Sequence, residues 1–127
     1  MIGFVGDIEE KTISNIFFRQ VLYTGQHAQL VLMCIDPSSD IGEEVHAVTD
    51  QFFRIEKGKG KVILNGKAYP VGDGTAILVP AGTKHNVINT SFDKKLLLYT
   101  IYSPPHHKDK VVHKSKKEAL EDHEDHL

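Results

Sequence analysis

The chain has 127 residues, 40% of them hydrophobic and 25% charged, which suffices for one domain with a core of its own and is too short for two. Its formal net charge is −2 with no basic face or arm, which gives no reason to expect nucleic acid as a partner. The lone cysteine excludes a disulfide framework and fits a reducing cytoplasm, and no apolar run is long enough to span a membrane.

From the N-terminus, "MIGFVGDIEEK" offers five mostly apolar residues and then acidic ones, too short and wrongly charged for a signal peptide. "IFFRQVLY" (16–23) and "AQLVLMCI" (28–35) are rich in aromatic and branched residues and are bounded by "TGQ" and "DPSSD", so both predict strands. Cys34 lies in the second run and reads as a core thiol, because nothing adjacent would lower its pKa. These two runs carry more apolar residues than one barrel interior needs, which predicts a homodimer. Glu44 and His46 are two apart and share a strand face; after a turn at Thr49-Asp50, Gln51, Phe53 and Ile55 share another. Arg54 and Glu56 fall on the opposite side, where an outward ion pair is expected. "EKGKGK" is a turn between strands and not a phosphate loop, since no helix follows it.

"KVIL-NG-KAYPV" is the strongest local signal, because Asn65-Gly66 supplies both positive-φ residues of a type I′ hairpin. "GDG", "TAILVP", "AGT", "HNVINTS" and "LLLYTIYS" follow, and His85, Val87 and Asn89 share one face. Tyr69, Tyr99 and Tyr102 read as packing residues. Short strands at turn-marked intervals, with no room for crossover helices, predict an all-β antiparallel sandwich or barrel over residues 15–102. Pro104 and Pro105 end the β region and open an extension over 103–127. Ser115 with Glu118 predicts a short capped helix over 115–121, beyond which the chain is expected to fray, with His123 and His126 solvated. His106, His107 and His113 either fold over the barrel mouth as acid, base or substrate contacts or lie in a solvated tail.

If the faces of Glu44, His46, Gln51 and His85 all point inward, four polar side chains meet inside a small barrel. That is costly unless they satisfy one another or a cation. Imidazole nitrogens, a carboxylate and an amide oxygen suit Mn, Fe, Ni or Zn.

"GTAILVPAGTKHNVIN" places Gly74, Pro80, Gly82, His85 and Asn89 at the spacing G-x5-P-x-G-x2-H-x3-N, a complete match to the second motif of the cupins. Over residues 30–102 the chain resembles a small single-domain cupin. The resemblance implies a jelly-roll barrel of antiparallel strands with one divalent metal ion. In the first motif, Gln51 stands where the family has glutamate, Glu44 and His46 stand at its two histidines, Gly58 keeps the closing glycine, and Gly42 misses the opening spacing. Both replacements can coordinate through oxygen, so the resemblance implies Glu44, His46, Gln51 and His85 as ligands. In donor types the set is similar to that of metal-dependent phosphomannose isomerases. The implied function is a metal-dependent enzyme of isomerase or dioxygenase type acting on a small polar metabolite such as a sugar. A non-catalytic metal or small-molecule binding module is the alternative. Metal-free epimerase chemistry on a His46–Glu44 base pair would leave Gln51 and His85 without a role.

Overall fold

The computed structural model describes residues 2–126. In chain order the elements are α1 (Ile8–Ser14), β1 (Arg19–Thr24), β2 (Gln29–Ile35), β3 (Asp50–Lys57), β4 (Lys59–Leu64), β5 (Lys67–Gly72), β6 (Ala76–Val79), β7 (His85–Asn89), β8 (Leu96–Ser103), β9 (Val112–His113) and α2 (Lys116–Glu121). The strands form two antiparallel sheets, one ordered β6-β3-β8-β2-β1-β9 and the other β5-β4-β7. This is the jelly roll with a short C-terminal helix that the strand pattern implies. Asn65 and Gly66 both take positive φ, as the type I′ hairpin between β4 and β5 requires.

The inner faces meet in one apolar core. Val31, Met33, Ile35, Phe53, Ile55, Leu96 and Leu98 come from the larger sheet, and Val62, Val71 and Val87 from the smaller. Register turns the pattern of each strand into rows across the sheet, because directly opposed residues project to the same side. One row runs Val31, Thr100, Phe53, Ile77, and the next toward the sandwich end runs Gln29, Tyr102, Gln51, Val79. The interior is therefore apolar at its middle and polar at one end.

The second-motif residues have plain structural work. Gly82 adopts φ of +84°, and its N–H donates to the carbonyl of His46 at 2.8 Å. Asn89 is buried, and its amide donates to the carbonyls of Ile35, Asp36 and Lys94 while its oxygen accepts from the Ser91 N–H. The same residues that carry the motif thus hold its loops in place.

Three differences from the sequence reading have local causes. α1 is capped by the Asp7 carboxylate, which accepts from the Glu10 N–H, and it packs across β2, β3 and β8. At seven residues it is too short to show a helical period. The first strand begins at Arg19 instead of Ile16, because the Asn15 side chain bonds both the N–H and the carbonyl of Phe17 and bends the chain there. The extension also adds β9 to the sheet edge beside β1, and past Glu121, where fraying is expected, Asp125 is 2% exposed. The expected helix is present as α2, with the Ser115 hydroxyl accepting from the Glu118 N–H.

Gly60 lies where a β-carbon would stand 2.3 Å from the carbonyl oxygen of Ile88 on the paired strand β7. Gly60→Ala is expected to lower stability by about 1–3 kcal/mol through forced separation of the two strands. Urea unfolding of the two proteins at neutral pH measures it, and an unchanged midpoint would mean the strands yield freely.

Candidate metal centre

The site forms where residues 40–46 run alongside β7. The backbone N–H of Glu44 donates to the His85 carbonyl, and that of His85 to the Glu44 carbonyl, each at 2.9 Å. An opposed pair that exchanges both bonds projects its side chains to one side, so Glu44 stands with His85, and His46, two residues on, joins them. From the larger sheet, the polar row brings Gln51 and Tyr102 across. The His46 and His85 rings lie 5.2 Å apart, and His85 Nε2 is 3.2 Å from Gln51 Oε1. Of the four residues expected to converge, Glu44 stands beside His46 at 3.8 Å and Gln51 beside His85, and His46, Gln51 and His85 are buried; the His85 donor atoms do not fall within 4.8 Å of those of both Glu44 and His46.

Their hydrogen bonds leave donors for a cation. His85 Nδ1 lies 2.9 Å from the carbonyl of Thr83, which can only accept, so Nδ1 carries the proton and Nε2 of the neutral ring is a bare lone pair. Gln51 spends its NH2 on the Thr100 hydroxyl at 2.9 Å and turns Oε1, another acceptor, toward that lone pair. Two acceptors facing each other across a buried gap are what a shared cation would satisfy. His46 Nε2 is also buried with no hydrogen-bond partner, 3.8 Å from Glu44 Oε2. The residues present therefore fit a divalent ion, with His85 oriented by a backbone carbonyl as ligating histidines usually are.

The extension closes over this end. Gln29 clamps it: its Oε1 accepts from the N–H groups of His106 and His107, and its Nε2 donates to the His107 carbonyl at 2.7 Å. His107 is 1% exposed; Nδ1 donates to Asp125 Oδ2 at 2.5 Å, and Nε2 accepts from the Tyr102 hydroxyl at 3.2 Å. His113 is buried between the Arg19 guanidinium, at 3.3 Å from Nδ1, and Asp122, which accepts from Nε2 at 3.0 Å. Of the three candidate substrate contacts, His107 and His113 are thus neither solvated nor free, because both ring nitrogens of each are committed. His106 alone has ring nitrogens without a hydrogen bond among the described residues; it packs 4.3 Å from the His46 ring and stacks on Tyr102 at 5.4 Å. Donor atoms of Glu44, His46 and His106 all lie within 4.8 Å of one another, as do those of His106, His107 and His126. His126 is exposed as expected, yet its ring leans on His106 at 4.7 Å, and His123 is exposed. Tyr102, which reads as a packing residue in sequence, is buried in the same row as Gln51 and Gln29 and so borders this cluster.

Burial keeps the His46, His106 and His107 imidazoles neutral. Burial, then repulsion by His85, pulls the His46 pKa from 6.5 to about 4. Burial, then the neighbouring His46 and His107, brings His106 to about 3. Burial also lowers His107 despite its Asp125 partner, and it raises the Tyr102 phenol. Burial pushes Asp125 up, but the His107 hydrogen bond and charge, the Lys108 N–H and His113 together outweigh it and hold the carboxyl at about 2. Neutral rings with free lone pairs are the form a metal binds.

The cupin domain model matches residues 31–102 of the chain. The crystal structure of BH2720 from Bacillus halodurans is 46% identical, superposes with a TM-score of 0.90, and covers 92% of each chain. The uncharacterized protein YrkC of Bacillus subtilis is 45% identical over 124 residues, and protein L612 of Acanthamoeba polyphaga mimivirus is 44% identical over 108. The matches take in 92% and 82% of this chain but 66% and 67% of those two proteins.

The depressed imidazoles set the acid limit of the metal-free fold. The unfolded chain binds protons near pH 6.5 that the folded His46 and His106 refuse until about 4 and 3, so the stability they contribute is complete above 6.5 and is lost as pH falls toward 4. Metal-free protein with chelator is expected to lose on the order of 1–3 kcal/mol between pH 7.5 and 5, read from urea midpoints. His46→Ala should flatten that dependence.

Proposed function

This chain belongs to the cupin domain family, and on that premise we propose that it is a metal-dependent enzyme that moves a proton on a small polar metabolite such as a sugar, in the manner of an isomerase. The observation that carries the reading is the donor arrangement: an unpartnered buried His46 Nε2 beside Glu44, and a bare His85 Nε2 facing Gln51 Oε1. Glu44, His46, Gln51 and His85 would hold one Zn, Mn, Fe or Ni ion. When bound, the ion supplies a Lewis acid that polarises a carbonyl or hydroxyl oxygen of the substrate.

The chain itself supplies the proton path. The Tyr102 hydroxyl donates to His107 Nε2, and His107 Nδ1 donates to the Asp125 carboxylate. A substrate hydroxyl donating to the Tyr102 oxygen could pass its proton on as Tyr102 gives its own to His107; the imidazolium so formed is paired with Asp125. Reversal returns the proton to the product. The Tyr102 and His46 rings meet at a steep angle with centroids 5.8 Å apart, so the path would begin beside the proposed donors. Proton relay favours isomerase over dioxygenase chemistry, since oxygen insertion makes no demand for a buried Tyr–His–Asp chain. We also propose a homodimer through the outer face of the larger sheet. There Leu78, Phe52, Ile101 and Leu30 stand side by side across four strands, none of them buried, while α1 covers β2, β3 and β8 in part.

Elemental analysis of protein reconstituted with each ion, followed by turnover of small aldoses and ketoses, tests the function. One equivalent per chain is expected, with loss of binding in His46→Ala and His85→Ala, weaker binding in Gln51→Leu, and equal or tighter binding in Gln51→Glu, where a carboxylate replaces the amide. Asp125→Asn should reduce turnover by roughly 100-fold or more with the ion still bound, by removing the partner of the imidazolium. Metal bound without turnover of any proton-transfer substrate would leave a binding module. Sedimentation at micromolar concentration tests the dimer, and monomer alone would exclude it.

A further inference from the structure

The extension beyond β8 carries His106, His107 and His113, the three candidate contacts, and their hydrogen bonds divide them. His107 and His113 have both ring nitrogens engaged, whereas those of His106 form no hydrogen bond among the described residues. We propose that His106 is a ligand of the same cation as Glu44 and His46, so that the C-terminal extension contributes a donor to the metal centre and is fastened by the ion. This rests on the metal reading above.

Four observations support it. First, the donor atoms of Glu44, His46 and His106 lie within 4.8 Å of one another, and His46 Nε2 among them is buried without a partner. One ion among the three satisfies an atom that is otherwise left costly. Second, His106 is held for the purpose. Its N–H is bonded to Gln29 Oε1 at 3.1 Å, and its ring is stacked on Tyr102 with an interplanar angle of 24°. A ring held by its face presents its nitrogens at the edge, and the His46 ring is the nearest, at 4.3 Å. Third, the residue after it is locked by Asp125, Tyr102 and Gln29, so the backbone at 106 has little freedom to withdraw. Fourth, the rival grouping of His106 with His107 and His126 is poorer in free donors. His107 could join it only by taking Nε2 from the Tyr102 hydroxyl, which is buried and has no other acceptor among the described residues.

A donor from the extension makes ion binding and docking of the extension one linked equilibrium. The ion should hold residues 104–126 down, and loss of the His106 donor should uncouple the two.

The experiment is titration of the metal-free protein with Mn(II) and with Zn(II), together with hydrogen exchange of the extension with and without each ion. His106→Ala is expected to bind the ion roughly 10- to 100-fold more weakly than wild type, and His126→Ala to bind it as wild type does. In wild type the ion should slow exchange of the amides between 105 and 126, and in His106→Ala it should not. If wild type binds one equivalent and His106→Ala binds it as tightly, or the ion leaves exchange of the extension unchanged, the ligand assignment is overturned while the barrel site stands. Equal weakening in His126→Ala would put His106 in the other trio and overturn it likewise. Wild type that binds no ion would remove the barrel site and this ligand together.

Discussion

Two backbone hydrogen bonds between Glu44 and His85 organise the polar end of this protein. They attach a segment with little regular structure of its own to the edge of β7, and the exchange of both bonds forces the two side chains to one side. His46 follows by alternation, and its carbonyl is tied to the Gly82 N–H. Asp50, at the start of β3, accepts from the Ala81 N–H, so the same turn also fixes the strand that carries Gln51. Glu44, His46 and Gln51, close in sequence, are set against His85 by three backbone bonds and one to the Asp50 carboxylate.

The larger sheet answers with a row of polar residues, Gln29, Tyr102 and Gln51, next to a row that is mostly apolar. Polar side chains packed inside a sandwich must be satisfied, and each of the three has a distinct partner: the backbone of 106–107, the His107 ring, and Thr100. The extension is therefore not an appendage laid on the surface. It supplies the hydrogen bonds that Gln29 and Tyr102 need, and Asp125 near its end is buried against His107. Lys116 in α2 is paired with Asp40, which also accepts from the Asn86 amide, so the far part of the extension is anchored to the segment that leads into Glu44. The polar end of the sandwich and the extension share one network, and burial there keeps His46, His106 and His107 neutral.

The strands were legible because their signals are local. Asn65-Gly66 demands a tight hairpin whatever surrounds it, and alternation in 85–89 and 96–103 follows from a sheet with one covered face. The shared facing of Glu44 with His46, and of Gln51 with Phe53, was legible for the same reason, since spacing of two residues assigns a face. The α1 helix left no such trace, because seven residues complete too few turns to show a period, and its place is set by packing on the sheet. Beyond Glu121 the composition is that of a solvated tail, so the burial of Asp125 leaves no trace in it. His107 and Asp125 are 18 residues apart, and nothing in their spacing says that they bond.

The sequence by itself determined that this is an antiparallel β protein of the cupin kind, where its hairpins lie, and which side chains could face inward with metal-binding chemistry. It could do so because turn residues and two-residue alternation act over a few positions. Tertiary structure alone decided which tail histidines are committed and which is free, that Tyr102 is part of a buried hydrogen-bonded chain, and that the C-terminal segment closes the site. Those outcomes depend on register between strands and on docking of a polar segment against buried partners, and the partners are far apart in the chain.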